Sequence, residues 1–512
     1  MDDLSSRLRA VCNLQVADVR EYSGRHEYDG KVQDLSVMGV RRALTDLATA
    51  AAAADDEPLA DSYDEAQLQC FIRRTQVEYG DLELHRSNPA YHLLNLDLAC
   101  YDRDYAPQAE RDAARREHLA AWPAAIDWAT QALDRVNAPV AQALLSAVEG
   151  LAAGLPEGGD ERIRRAALDA HARLMSQLER AAAEGDPDPA LGSAALSLLM
   201  GSSEATEVDL GRLAESADAE RDRLMARLAD SCGAIEPGRA PLDLARELVR
   251  DHPDAGGVLD AARRWTQLVI DFTREHDLVP YHDGECLVGL APESRRFAMA
   301  MMSPAGPGEP EGPSWYHITP PESSWPQADQ EEWLEVFSET TLPGITAHEV
   351  APGHFSHGRA IRRLTTDVRR VLHSGAFVEG WAHYAEELCV EEGFCADDPR
   401  FAIGVWLEAL VRVTRLACAI GVHTAGMSVA EATRRFEADT HLSGSAAASE
   451  ARRATFDPTY GRYTWGKLAI MELRERARRE WGAGFSLSRF HAAMLGLGSP
   501  ALGLLDIAVD RG

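Results

Sequence analysis

The chain has 512 residues, of which 45% are hydrophobic, so it can form one large body or two to three domains with a sizeable core. Its formal net charge of −30 argues against nucleic acids and anionic membranes as partners, because binding to phosphates needs clustered lysine and arginine. The eight cysteines are scattered and form no C-x-x-C pair, so we expect reduced, mostly buried thiols and no zinc–thiolate site.

The N-terminal residues lack the pattern of an export signal. Asp2 and Asp3 follow Met1, and no apolar segment of the signal-peptide type comes after them. No apolar run approaches the roughly 18 residues that a membrane span requires. We therefore expect a cytoplasmic protein with no membrane partner. The oligomeric state stays open, with a homodimer as one option.

The first half of the sequence predicts amphipathic helices. Apolar residues recur at intervals of three and four, and the opposite faces mix glutamate with arginine. No internal repeat of fixed period is present. The pattern is typical of an antiparallel helical body that serves as a scaffold. The predicted helices cover residues 41–54, 110–122, 124–135, 160–183, 207–228 and 242–251.

Glycine and proline mark two breaks in the chain, at residues 232–238 and 303–313. The second break separates two predicted short strands, over residues 285–290 and 314–319. A strand at a sheet edge can hold an extended peptide by main-chain pairing, and residues 315–319 are the candidate for that role. An ordinary loop is the alternative for this segment.

The most informative motif contains two histidines that lie six residues apart, His348 and His354. In a regular helix this spacing would direct the two imidazoles to different faces. Pro352 and Gly353 lie between them, and both residues favour the end of a helix or a bulge. We therefore predict a helix break that brings the second imidazole back toward the first. His357 is a further histidine nearby that could bind metal or lie outside the site.

The chemistry of this motif predicts a zinc centre. We assign His348, His354 and Glu379 as ligands, because two imidazoles and one carboxylate suit Zn²⁺ and leave a position for water. His383, one turn after Glu379, is the alternative third ligand or a residue that supports the ligands. Glu349 points to another side of the helix than His348, so it can act as the general base without binding the metal.

Four more residues are candidates for catalysis or its support. Tyr463 lies in a glycine-flanked, aromatic-rich segment, and its hydroxyl could donate to an oxyanion. Tyr460 is its rival, and a purely structural role is the alternative for both. His423 and His491 are further catalytic candidates, although an isolated histidine is more often part of a core.

Substrate binding has four candidates in two segments. Tyr316 and His317 lie in the second predicted strand. Arg462 and Arg474 could bind a substrate carboxylate with two parallel hydrogen bonds. For Arg474, an ion pair with a neighbouring glutamate is the alternative.

Several segments together resemble the DUF885 family, which is grouped by fold with zincin-type metallopeptidases. The resemblance covers most of the chain and is densest from about Arg295 onward. One departure is Ala419, at a position where relatives often carry an acid, and it favours a specialised reaction. The matching segments are residues 88–91, 315–321, 342–354, 377–384, 457–468, 490–491, 498–500 and 504–505.

The resemblance implies a mostly α, zincin-like metallopeptidase fold with a deep cleft and a small β element near the metal helix. Residues 1–260 would form one wall of the cleft, and residues 261–512 would form the catalytic region, both within one continuous structural unit. The implied activity is zinc-dependent hydrolysis of an amide or peptide bond in a small peptide or acylated amino acid. One alternative is a biosynthetic reaction on a small non-peptide substrate at the same metal, and another is a non-catalytic helical scaffold.

Overall fold

The computed structural model describes residues 4–54, 58–155, 160–281, 283–292, 295–296, 298–309 and 312–512. Within these ranges, 23 α-helices accompany one small sheet, so the predicted mostly α fold is confirmed. The likeness to zincin-type peptidases and the deep cleft stay predictions. No helix in the described ranges is both long enough and apolar enough to cross a membrane.

Twelve helices precede the sheet in the described part of the chain. Two predicted helices on either side of Pro123 are one helix, because the apolar residues Trp122 and Ile126 continue a single buried face across the proline. The helices are α1 (Ser6–Cys12), α2 (Val16–Ser23), α3 (Val37–Ala52), α4 (Ser62–Gln76), α5 (Ala90–Leu96), α6 (Gln108–Ala132), α7 (Ala138–Ala153), α8 (Glu161–Glu184), α9 (Ser193–Ser203), α10 (Leu210–Ile235), α11 (Pro241–Leu248) and α12 (Val258–Glu275).

The sheet has three strands, β1 (Cys286–Leu290), β2 (Ala300–Ser303) and β3 (Ser314–Ile318), in the order β1-β3-β2. β1 runs parallel to β3, and β2 runs antiparallel to it, with Met302 opposite Tyr316. Both predicted strands exist, but β3 is the central strand with both edges paired. The prediction that residues 315–319 offer a free edge is therefore wrong, and β1 and β2 are the edge strands instead.

Eleven helices follow the sheet, and they carry most of the candidate site. They are α13 (Gln327–Leu334), α14 (Leu342–Glu349), α15 (His354–Ile361), α16 (Asp367–Val371), α17 (Gly375–Glu391), α18 (Pro399–Thr424), α19 (Val429–Asp439), α20 (Gly444–Phe456), α21 (Arg462–Trp481), α22 (Leu487–Leu495) and α23 (Asp506–Arg511).

The largest hydrophobic cluster joins the two halves of the chain. It takes Leu224 and Leu228 from α10, Phe337, and Leu407 and Leu410 from α18. Helices α10 and α18 pack against each other along this cluster. The predicted regions 1–260 and 261–512 therefore share one core. All eight cysteines are free, and six of them are buried.

Helices α17 and α21 approach closely at a pair of glycines. A Cβ atom on Gly466 would lie 1.8 Å from the carbonyl oxygen of Ala376, and one on Gly380 would lie 2.5 Å from Gly466 Cα. No larger residue fits between these backbones. The close contact brings Glu379 of α17 and Tyr463 of α21 to the same region of the molecule.

A buried ion network ties α10, α17 and α21 together. Lys467 Nζ lies 2.5 Å from Glu387 and 3.3 Å from Glu220, and Arg223 contacts both carboxylates at 2.7 Å. Each charge has a partner of the opposite sign, which offsets the cost of removing it from water. The network fixes the relative positions of the helices that carry the candidate site.

Candidate metal centre

The predicted helix break between the two motif histidines is confirmed. α14 ends at Glu349, and α15 begins at His354. A Cβ atom on Gly353 would lie 1.9 Å from the carbonyl oxygen of His348, so only glycine fits in this turn. The indole Nε1 of Trp381 donates to the carbonyl oxygen of Pro352 at 2.9 Å and holds the turn against α17.

The break brings the three predicted ligands together. One ligand atom from each of His348, His354 and Glu379 lies within 4.8 Å of the other two. Glu379 Oε2 is 3.5 Å from Nε2 of each histidine, and the two imidazole planes are nearly perpendicular, at 88°. Tetrahedral zinc with bonds of about 2.0–2.1 Å would separate its ligand atoms by roughly 3.3–3.5 Å. The donor types and the two carboxylate–imidazole spacings therefore fit zinc.

The electrostatics of the cluster favour a positive charge. Burial and Arg412 lower the pKa of His348, but hydrogen bonds to Glu379 and Glu386 outweigh them and raise it to about 9. Burial also opposes ionisation of Glu379, yet the two imidazoles hold its pKa well below the ordinary value. The site thus attracts a proton or a metal cation, and zinc would replace that proton.

A carboxylate behind the cluster orients His348. The Nδ1–H of His348 donates to Glu386 Oε1 at 2.6 Å, which directs Nε2 toward Glu379. Arg412 donates to the other oxygen of Glu386 at 3.1 Å. Glu386 is not among the predicted site residues, although its spacing from Glu379 places it two turns along the same helical face. His383 also contacts Glu386, at 3.5 Å, and lies outside the three-residue cluster.

Glu349, the predicted general base, is held in place by the edge strand. The main-chain N–H of Met302 in β2 donates to Glu349 Oε2 at 2.8 Å. Its Oε1 forms no hydrogen bond within the described ranges. The carboxylate is therefore fixed by one oxygen and has the other available for a water.

Tyr463 lies beside the cluster and is surrounded by arginines. Its ring stacks on His348, with 6.3 Å between the ring centroids and 25° between the planes. The guanidinium groups of Arg412, Arg415 and Arg462 lie 5.8, 5.3 and 5.8 Å from its ring centroid. Its hydroxyl has no hydrogen-bond partner among the described residues. These cations favour negative charge that develops beside the hydroxyl.

A cavity of about 550 Å³ lies beside the starts of α17 and α21, and none of the three predicted ligands lines it. Its lining includes Gly375 and Ala376 at the start of α17, and Ala376 precedes Glu379 by three residues, which is about 4.5 Å along the helix axis. Arg462 also lines it and pairs with Asp457 at 2.7 Å. Arg462 remains a candidate for substrate binding.

Two predicted catalytic histidines are structural. His491 is buried, its Nδ1–H donates to the carbonyl oxygen of Leu278, and its Nε2 hydrogen-bonds the Tyr384 hydroxyl at 2.9 Å. His423 is buried, and its Nε2–H donates to the carbonyl oxygen of Ala454 at 2.8 Å. Burial lowers the pKa of both imidazoles, to about 4 for His491. The prediction that these two histidines are catalytic is wrong, because their ring nitrogens already form hydrogen bonds with protein groups.

Two predicted substrate-binding residues also have structural roles. Tyr316 is fully buried, and its hydroxyl lies 3.4 Å from Thr346 Oγ1, so it supports α14. Arg474 is buried and pairs with Glu391 at 2.6 Å. The alternative of an ion pair is the one found for Arg474, with a partner on α17. His317 lines a second cavity, on the other face of the sheet.

Tyr460, the rival of Tyr463, belongs to the core. It is fully buried, and its hydroxyl donates to the carbonyl oxygen of Glu450 at 3.3 Å. Ala419 packs in the same apolar cluster as Tyr460. His357 is also buried, and its Nε2 bonds the carbonyl oxygen of Gly498 at 3.0 Å, away from the metal cluster.

The buried carboxyl group of Glu204 should make the stability of the protein depend on pH. Burial raises its pKa to about 7, although Ser374 at the start of α17 donates to it at 2.7 Å. Between about pH 4.5 and 7 the unfolded chain releases this proton and the folded protein keeps it, so the free energy of unfolding falls as pH rises. Glu204→Gln should therefore stabilise the protein by about 2–3 kcal/mol more at pH 8 than at pH 4.5.

Urea unfolding at the two pH values measures this difference. Glu207→Gln removes an exposed carboxylate close by and should show no such difference. Equal effects of Glu204→Gln at both pH values would contradict the assignment of a raised pKa.

Two solved structures are similar to the whole chain. One is "a putative lipoprotein of unknown function" from Shewanella oneidensis, with 18% identity, a TM-score of 0.78, and coverage of 98% of this chain and 97% of that one. The other is "the putative lipoprotein" from Colwellia psychrerythraea, with 15% identity, a TM-score of 0.76, and 99% coverage of both chains. At these identities the similarity shows the fold alone. No curated protein matches the sequence.

These neighbours correct the predicted cytoplasmic location. Both are described as lipoproteins, which does not agree with that prediction, and we withdraw it. The family described as "Bacterial protein of unknown function (DUF885)" matches residues 19–509. Because this match covers almost the whole sequence, the chain belongs to the DUF885 family.

Proposed function

We propose that this protein is a zinc-dependent hydrolase that cleaves an amide or peptide bond of a small peptide or acylated amino acid. The observation that carries the proposal is the convergence of His348, His354 and Glu379 to spacings that suit tetrahedral zinc. Glu349 directly follows the ligand His348 in sequence, and the ring of Tyr463 stacks on the His348 ring. A base and a hydroxyl donor therefore accompany the ligands.

The residues divide the chemistry of hydrolysis between them. Zinc held by the three ligands would polarise the scissile carbonyl and acidify a water. Glu349 accepts the proton of the attacking water through its available oxygen and later gives it to the leaving amine. Tyr463 donates its hydroxyl hydrogen to the oxygen that becomes negatively charged. Glu386 keeps His348 in the tautomer that binds metal through Nε2.

The edge strand beside the centre suits an extended peptide. The N–H of Met302 points away from β3, because it donates to Glu349. The outer edge of β2 therefore faces the base, and an extended peptide could pair along it.

Metal analysis of purified variants tests the ligand set. We expect about one zinc per chain after reconstitution, and His354→Ala should lose it, because two remaining ligands bind far more weakly. His357→Asn, three residues further on the same helix, should keep it. Elemental analysis measures the zinc, and circular dichroism shows whether each variant is folded. Absence of metal from the reconstituted protein would end the zinc proposal.

Activity is tested on the zinc-loaded protein. Mass spectrometry of a mixture of dipeptides and acylated amino acids should detect hydrolysed members, and His354→Ala should hydrolyse none of them. A zinc-loaded protein that cleaves no amide in such mixtures would contradict the hydrolase proposal while leaving the metal site intact.

A further inference from the structure

A second cavity, of about 890 Å³, has five arginines in its lining. It lies between the N-terminal helices and the sheet face that carries Trp315 and His317. Among the residues that the structure describes, two acidic side chains line it, Asp102 and Asp104. The chain as a whole has 82 acidic and 52 basic residues, so this cavity reverses the general balance of charge. The lining arginines are Arg103, Arg115, Arg164, Arg295 and Arg296.

The carboxylates that compensate these arginines lie mostly behind the cavity wall. Arg103 pairs with Glu309 at 2.8 Å, and Arg295 pairs with Glu21 at 2.7 Å. Neither glutamate lines the cavity. Burial opposes ionisation of Glu21, but Arg295 and Arg103 lower its pKa to about 2. These glutamates hold the guanidinium groups in fixed positions.

The two lining aspartates are already neutralised. Asp102 contacts Arg115, and Asp104 pairs with Arg111 at 2.6 Å. A cationic ligand would therefore meet no free carboxylate in the described lining. The polar character of the cavity suits an anion instead.

Arg164 is the cation that lacks a partner. No carboxylate lies within ion-pair distance of its guanidinium in the ranges that the structure describes, and its Nε is buried without a hydrogen-bond acceptor. A buried donor without an acceptor costs free energy unless a ligand supplies one. A carboxylate or phosphate oxygen would do so with a charge-assisted bond.

One lining residue adjoins the strand residue that holds the proposed catalytic base. Ser303 lines the cavity and directly follows Met302, whose N–H donates to Glu349. Glu349 itself does not line the cavity, but one residue of a strand spans only about 3.3 Å. Trp315 and His317 form a stacked pair with 5.7 Å between centroids and 5° between planes. This pair offers a flat surface for the part of a ligand that joins the anion to the reacting bond.

We propose that this cavity binds an anionic group, a carboxylate or a phosphate, and that Arg164 is the residue that recognises it. The substrate of the proposed hydrolase is then an amide that bears an acidic group several bonds from the scissile carbonyl. The substrate class rests on the proposed function, whereas anion binding does not.

Isothermal titration calorimetry of the zinc-loaded full chain tests the site with succinate, inorganic phosphate and neutral succinamide. We expect saturable binding of at least one anion and much weaker binding of succinamide, which has the shape of succinate without its charge. The anion that binds more tightly identifies the group. Arg164→Gln should weaken its binding by about 10-fold or more, since a charge-assisted hydrogen bond is lost.

Two further variants exclude simpler explanations. Arg180→Gln removes an exposed arginine from the same helix, α8, outside the cavity, and should leave the affinity unchanged. His354→Ala should still bind the anion, because a metal ligand is not part of this site. Failure of both anions to saturate the protein would overturn the proposal. So would equal weakening by Arg164→Gln and Arg180→Gln, or loss of binding in a folded His354→Ala protein.

A kinetic comparison tests the link to the substrate. If hydrolysis is found, Arg164→Gln should raise KM about 10-fold for glutamate-containing peptides and leave their glutamine counterparts unchanged. Equal KM values for the glutamate and glutamine peptides, in a protein that binds neither anion, would overturn the cavity proposal and leave the hydrolase proposal standing. Anion binding without any hydrolysis would support the cavity and contradict only the proposed function.

Discussion

Replacing Glu349 by glutamine should lower kcat by about 10²–10⁴-fold while the protein keeps its zinc. The amide has nearly the same shape, and its oxygen can still accept the N–H of Met302 at 2.8 Å. It cannot accept a proton from water, so the attacking group is no longer activated. Steady-state kinetics together with elemental analysis would separate loss of the base from loss of the metal.

Glu339→Gln is the matched control for this variant. Glu339 precedes α14 and forms an ion pair with Arg264 at 2.6 Å, outside the metal cluster. It should keep normal kcat. If Glu349→Gln retained full activity, another group would have to accept the proton, and the proposed role of Glu349 would fail.

The metal cluster could be predicted because its chemistry is local in sequence. His348, Pro352, Gly353 and His354 lie within seven residues, and the conformational limits of proline and glycine predict the turn between the imidazoles. Glu379 is more distant, but it lies in a helix whose own pattern resembles the family. These short segments were therefore enough to predict that the three side chains meet.

The roles of single histidines could not be predicted in the same way. His491 bonds the carbonyl oxygen of Leu278, 213 residues earlier in the chain, and His423 bonds that of Ala454, 31 residues later. A main-chain carbonyl has no sequence signature, so a satisfied core histidine and a catalytic one look alike. Only the folded structure shows which imidazole nitrogens are already in use.

The order of the strands could not be predicted either, because it depends on β2, whose sequence pattern is weak. β2 contains only Ala300, Met301, Met302 and Ser303, a run too short to show strand periodicity. Without it, residues 315–319 look like a sheet edge. Once β2 pairs with β3, the free edge moves to β2, and this same strand supplies the N–H that positions Glu349.

The proposed active site contains charged groups of both signs. Glu379 and Glu386 contact His348, where negative charge favours a bound cation. Arg412 and Arg415 lie over the ring of Tyr463, where positive charge favours a developing anion, although Arg412 also donates to Glu386. Hydrolysis of an amide needs both, because the carbonyl oxygen becomes negative between an electrophile and a hydrogen-bond donor.

Replacing Tyr463 by phenylalanine should lower kcat by roughly 10²–10³-fold with little change in KM, by analogy with single oxyanion-hole donors. The ring would still stack on His348 and the arginine contacts to the ring would remain, so the substitution removes only the hydroxyl. That hydroxyl has no hydrogen-bond partner among the described residues, as expected for a donor that acts on a substrate. Because its contribution grows as charge develops, the loss appears in the transition state and not in substrate binding.

Tyr460→Phe is the control that separates chemistry from packing. It removes a hydroxyl three residues away that donates to the carbonyl oxygen of Glu450 inside the core. This variant should lose some stability, by about 1 kcal/mol, and keep its kcat. A raised KM with normal kcat in Tyr463→Phe would make Tyr463 a substrate-binding residue. Equal kinetic constants in Tyr463→Phe and the wild type would remove the Tyr463 hydroxyl from the proposed mechanism, and another group would have to stabilise the developing charge.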